Sequence, residues 1–158
     1  MTYPSLMVRE KRYLSSFIEK YLPKKMIFIG GPRQIGKTTL SLQFIKPSNI
    51  TNPAYLNWDR ASDKSLILKD QIPLKQKTII FDEVHKYQKW RSLLKGLFDK
   101  YRESHFFLVT GSARLDYFRK GGDSLLGRYR YFRLHPFTLP EYSKNFDEKD
   151  LHKLMKFS

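Results

Sequence analysis

The chain has no cysteine in its 158 residues, so a disulfide framework and a thiolate metal centre are both excluded. Its four histidines stand without metal-ligand spacing, which argues against zinc. Acidic residues are scarce: 15 against 30 lysines and arginines, a formal net charge of +15. Long apolar runs are missing as well. No stretch approaches the roughly 20 apolar residues that a membrane helix needs. The opening MTYPSLMVREKRYLSSF also lacks the apolar centre of a signal peptide. These absences predict a soluble protein without a membrane span, suited to a reducing, cytoplasmic setting.

What is present bounds the rest. With 41% apolar and 15% aromatic residues, a chain of this length can bury one sizeable core, and one globular domain is expected. The excess of positive charge attracts polyanions, and makes nucleic acid a candidate partner. A solvated lysine-rich surface, or a fragment separated from an acidic remainder, gives the same count.

From Arg9 to Tyr21 the residues Tyr13, Leu14, Phe17 and Tyr21 recur at helical spacing, with Pro23 beyond, and predict an amphipathic helix. MIFIG, TIIFDE and HFFLVTGS are short apolar runs of the kind buried on both faces of a sheet, and AYLNW is a further strand candidate. Between them TTLSLQFI, SDKSLILKD and WRSLLKGLFDKYRE have helical character, the second opening on a Ser/Asp cap. RYRYFRLHP alternates charged with aromatic side chains, as a half-exposed edge strand does. Its aromatic and basic alternation also suits base stacking on single-stranded nucleic acid, although an edge strand with a buried aromatic face is the commoner reading. Strands separated by helices imply βαβ units, hence an α/β fold with a mostly parallel sheet covered on both faces.

FIGGPRQIGKTTLSLQF, from Phe28 to Phe44, carries the chemistry. GPRQIGKT satisfies G-x-x-x-x-G-K-[ST] between a buried-type strand and a helix, the context that a Walker A phosphate loop requires. Glycines let consecutive backbone N–H groups turn toward phosphates, and the helix N-terminus adds its positive end. Gly31, Pro32, Arg33, Gln34, Ile35, Gly36, Lys37, Thr38 and Thr39 are therefore the expected nucleotide-binding residues. Lys37 would reach the β- and γ-phosphates of ATP, and the Thr38 hydroxyl would coordinate Mg2+.

TIIFDE supplies the second half of such a site. Thr78 and the three apolar residues after it carry Asp82 to the carboxyl end of a strand, where it can hold Mg2+ through water. Glu83 then stands ready to take a proton from an attacking water. Asp59 after AYLNW is a candidate near the γ-phosphate, or simply a helix cap. Thr110 and Ser112, ending the third apolar strand, are either γ-phosphate sensors or turn residues. Arginine is expected to meet charge on the γ-phosphate, from the same or a neighbouring subunit. Arg33, Arg114 and Arg128 are the candidates, Arg128 following the loop-like RKGGDSLLG; a plain surface role for it stays open.

GPRQIGKTTL, IIFDEVHKYQKWRSLLKGLFD, VTGSARL and SLLGRYRYFRLHPFTLPEY, in this order and spacing, resemble a family of prokaryotic AAA-like P-loop ATPases. Longer members of that family carry a C-terminal domain of unknown function. The resemblance runs from Arg9 to Tyr142. It implies a P-loop NTPase three-layer sandwich with a five-stranded sheet in 5-1-4-3-2 order, ATP and Mg2+ as ligands, and Lys37, Thr38, Asp82 and Glu83 as working residues. It also places Arg128 in the family's Leu-x-Gly-Arg element. Two positions depart from the pattern: Ser-Ala-Arg from Ser112 where a run of serines is usual, and His85 where glutamine is expected. Residues 1–142 are thus read as the ATPase core, and 143–158 as the start of a helical extension cut from a longer protein, with homo-oligomers as possible partners.

Two functions of different class follow: an Mg2+-dependent ATPase, and a nucleotide-gated switch that hydrolyses little and engages nucleic acid or a protein through its basic surface. A small-molecule kinase is the weaker third, since it does not need the Asp-Glu pair.

Overall fold

In the computed structural model, which describes residues 12–112 and 125–136, the short apolar runs become strands. They are β1 (Met26–Gly30), β2 (Tyr55–Asn57), β3 (Thr78–Asp82), β4 (Phe106–Thr110) and β5 (Tyr129–Arg133). Every ladder is parallel, and the order β2-β3-β4-β1-β5 is the expected 5-1-4-3-2 arrangement met from the other edge. All residues of β1 and β3 are buried, which explains why neither shows apolar–polar alternation.

Register sorts the side chains onto two faces. Phe107 of β4 lies beside Ile79, and Val109 beside Phe81, so Phe81 and Phe107 share one face with Phe28. Phe28 meets Trp90 at 5.8 Å and Phe107 meets Phe98 at 6.4 Å, both from α4 (Trp90–Tyr101). On the other face Phe132 packs against Phe17 at 6.4 Å and Tyr21 at 6.2 Å, from α1 (Ser15–Tyr21). Helices therefore cover both faces, and the fold is the three-layer α/β sandwich of P-loop NTPases.

The helices are shorter than periodicity implies. In α1 the chain turns first, Ser15 N–H donating to the Arg12 carbonyl at 2.9 Å, and residues before Arg12 lie outside the described part. The helix after the glycine loop, α2, ends at Leu42 rather than near Ile45, its last residues continuing as tight turns with bonds such as Phe44 N–H to Ser41 O at 3.1 Å. In α3 (Ala61–Leu68) no side chain caps the start; Asp63, taken from sequence as part of a cap, accepts a bond from Asn57 N–H at 2.9 Å and fixes the end of β2 instead.

Strand β5 forms an edge as expected, with Arg130 and Arg133 exposed and Phe132 buried. Its rings pack against the core. Tyr129 stacks on Phe28 at 4.7 Å, and the Arg130 guanidinium lies 3.9 Å over Tyr21. The segments RKGGDSLLG up to Ser124, Arg114, and residues 137–158 of the expected extension fall outside the described residues.

Candidate functional site

Parallel strands bring the carboxyl ends of β1, β3 and β4 to one edge of the sheet, where an open α/β sheet binds its ligands. The loop from Gly31 to Gly36 leaves β1 there and enters α2 (Lys37–Leu42). Gly31 has φ +141°, and a Cβ on it would stand 2.5 Å from the Leu134 carbonyl oxygen, so only glycine fits beneath the segment leaving β5. Gly36, at φ +88°, is the left-handed residue that starts α2. Pro32, Arg33, Gln34 and Thr39 are exposed, with Ile35 and Thr38 half-buried.

Lys37 is buried beneath the loop, its Nζ donating to the carbonyls of Gly31 at 3.0 Å and Pro32 at 2.5 Å. Burial pulls its pKa below the ordinary lysine value, against the opposing pull of Glu83 and Asp82. A residue that motif reading misses steadies the loop from outside: the Arg12 guanidinium, itself buried, donates to Ile35 O at 3.0 Å and His135 O at 2.7 Å. Arg12 thereby ties the loop to the segment that follows β5.

Asp82 is the centre of a hydroxyl cluster. Thr38 Oγ1 donates to its Oδ2 at 3.1 Å, joining the phosphate loop to β3. Thr110 Oγ1, fully buried at the end of β4, donates to Oδ1 at 2.6 Å. The Tyr55 hydroxyl, from β2, donates to Oδ2 at 2.5 Å and accepts from Asn57 Nδ2 at 3.4 Å. Burial first, and then the adjacent carboxylate, push the Tyr55 phenol pKa up, so it stays a proton donor. Nothing in the phosphate-loop pattern points to Tyr55.

Glu83 follows Asp82 in a left-handed conformation, φ +58°, with its N–H donating to Thr110 O at 2.9 Å. Its carboxylate lies 3.4 Å from Lys86 Nζ and 3.8 Å from His85 Nε2. His85 Nε2 in turn meets Ser112 Oγ at 3.2 Å, and Lys86 Nζ meets the Asp59 carboxylate at 2.5 Å. The hydrogen bond to Asp59, ahead of all other causes, raises the Lys86 pKa. Asp59 caps no helix; it is joined to Glu83 through Lys86.

The structure thus gathers Lys37, Thr38, Asp82 and Thr110, and links Glu83 to Ser112 and Asp59 through His85 and Lys86. Arg128 is not among them. Its carbonyl accepts from Met26 N–H at 2.9 Å, at the start of β1, and five strand residues at about 3.3 Å each put it about 16 Å from the loop. There its guanidinium pairs with Asp99 of α4, Nε to Oδ1 at 2.8 Å and Nη2 to Oδ2 at 3.2 Å. That pairing holds the Asp99 carboxyl below its usual range and raises Arg128. Arg128, expected from sequence to reach the nucleotide or a neighbouring subunit, thus lies at the start of β1 and pairs with α4, away from its own chain's phosphate loop.

Residues 23–143, well over half of the chain, match the AAA domain family. The chain belongs to the AAA domain family. The match takes in the phosphate loop, the Asp82–Glu83 pair and β5, and makes the molecule an AAA-like P-loop NTPase domain. No curated protein sequence matches it. Among solved structures it is similar to the Pif1 helicase from Bacteroides, in complex with ADP-AlF3 and ssDNA, at 13% identity and a TM-score of 0.47. That similarity covers 81% of this chain and 42% of the helicase chain, so the AAA domain spans less than half the length of that structure. Among the described residues, no helix is long and apolar enough to cross a membrane.

Proposed function

We propose that this AAA domain binds ATP with Mg2+ at the loop from Gly31 to Thr39 and hydrolyses it. The observation that carries the reading is the bond from Thr38 to Asp82, which places a loop hydroxyl and a strand carboxylate side by side. Both are hard oxygen donors, and Mg2+ characteristically takes one or two of these together with phosphates and water. Bound there, Mg2+ would neutralise charge on the phosphate oxygens.

The chain's own residues do the rest. Backbone N–H groups of the loop and the Lys37 ammonium hold the phosphates; Lys37 exchanges its bonds to two carbonyls for bonds to phosphate oxygens. Glu83, one residue beyond Asp82, accepts a proton as water attacks the γ-phosphorus and the bond to the β-phosphate oxygen breaks. Thr110 and Ser112, on the Asp82 and His85 sides, sense the γ-phosphate. Arg128 acts only if a second copy carries it to the site.

Isothermal titration of ATP with Mg2+ into the purified chain tests this, with phosphate release followed on the same sample. Lys37→Ala should lose binding, and Glu83→Gln should keep nucleotide while losing turnover by about 10²–10⁴-fold. Absence of binding to the wild type would sink the reading.

A second reading has its own observation. Glu83 is held by Lys86 at 3.4 Å, and Lys86 is in turn anchored by Asp59, so the base is engaged elsewhere. A domain that keeps it so is a nucleotide-gated switch, with slow phosphate release in the wild type and little further loss in Glu83→Gln.

A further inference from the structure

Asp82 is more heavily bonded than a metal-binding carboxylate requires. A carboxylate offers about four lone-pair positions. Here Oδ1 accepts from Thr110, and Oδ2 accepts from both Thr38 and Tyr55. The two threonine hydroxyls come from the loop and from the neighbouring strand β4, and each can swing to another acceptor by rotation about χ1. The phenol cannot. Tyr55 is 4% exposed, sits in register beside Ile80, and has the Arg60 guanidinium 5.3 Å over its ring. Asn57 Nδ2 donates to the phenol oxygen, which leaves the hydroxyl proton for Asp82.

We propose that Tyr55 is a positioning residue for Asp82: its hydroxyl pins Oδ2 so that the carboxylate meets a Mg2+–nucleotide complex through water rather than directly. The inference rests on the nucleotide reading above and adds to it a residue from β2 that no phosphate-loop element supplies. With both positions of Oδ2 occupied, a direct bond from that oxygen to the cation must displace a hydroxyl donor, while Oδ1 keeps one position, which a water can take. An outer contact, relayed by a water, need not. Mg2+ keeps its waters readily and suits such a contact; Mn2+ accepts direct carboxylate ligands more easily.

The test is Tyr55→Phe, which keeps the ring and its packing and leaves Asp82 with two hydroxyl donors, so the fold is retained; thermal melting monitors that. ATP affinity is measured by titration in Mg2+, in Mn2+ and in EDTA, for wild type and variant, and again with Asp82→Asn in both backgrounds. We expect the ratio of affinity in Mg2+ to affinity in EDTA to fall about tenfold in Tyr55→Phe, as for loss of one hydrogen bond to a charged group. Preference should move toward Mn2+, and neither change should occur once Asp82 is Asn. An unchanged ratio, even with a lowered melting temperature, would reduce Tyr55 to a packing role and overturn the proposal. So would an equal loss in the Asp82→Asn background. A wild type that binds no ATP in Mg2+ would overturn the nucleotide reading and this inference together, whereas a binding wild type with an indifferent Tyr55→Phe overturns this one alone.

Discussion

Lys37 sits where its charge is costly. Burial disfavours the ammonium, and Glu83 and Asp82 restore it only in part, so the folded domain without nucleotide holds this proton less tightly than the unfolded chain does. A lowered folded-state pKa gives stability that rises as pH climbs toward the ordinary lysine value of 10.5 and levels off above it. Lys86, whose pKa is raised, acts the other way and only above that value. Denaturant unfolding across a pH series should show the rise in the wild type and its loss in Lys37→Met. At the same scale, Gly31, Lys37, Thr38, Asp82 and Glu83 were legible because a local pattern names them. Arg12 and Tyr55 were not. Arg12 reaches Ile35 across 23 residues and Tyr55 reaches Asp82 across 27, and neither has a spacing that marks it beforehand. His85 drew notice only as a departure from a family pattern, and its contact with Ser112 became visible only in the fold.

Among elements, the strands were legible because burial on both faces demands uninterrupted apolar runs, as in MIFIG and TIIFD. Helix ends were not, since tertiary partners set them. Asp63 was spent on Asn57 rather than on a cap, and the start of α1 gave way to a turn that frees Arg12 for the loop. Two substitutions measure how these elements hold. Ile80→Ala, at a fully buried position of β3, should cost about 2–5 kcal/mol in chemical unfolding. Gly96 lies exposed inside α4, where a Cβ would meet nothing within 4 Å, so Gly96→Ala should stabilise by about 0.5–1 kcal/mol. A loss of stability in Gly96→Ala would mean that the outer face of α4 is covered in solution.

For the whole molecule, the charge of +15 makes a claim that the site does not. If the basic surface engages nucleic acid, retention on immobilised single- and double-stranded DNA should fall steeply between low and physiological salt, because each phosphate contact releases counterions. Retention that ignores salt would count against a nucleic-acid partner. The family and the strand order were readable at this scale from four spaced segments, while the place of Arg128 was not, because it depends on which end of β5 the preceding loop delivers.

The bond network around the loop also has a history in time. Gly31 lies under the Leu134 carbonyl, Leu134 N–H donates to Gly30 O at 2.8 Å, and Arg12 clasps Ile35 together with His135. On a ribosome, the glycine loop emerges about a hundred residues before the strand that completes its wall. A nascent chain halted after β4 would carry the entire phosphate motif yet lack that wall, and it should bind nucleotide poorly until β5 is released. The ability to hold ATP would then arrive late in synthesis, and capture on an immobilised nucleotide would separate finished domains from unfinished ones.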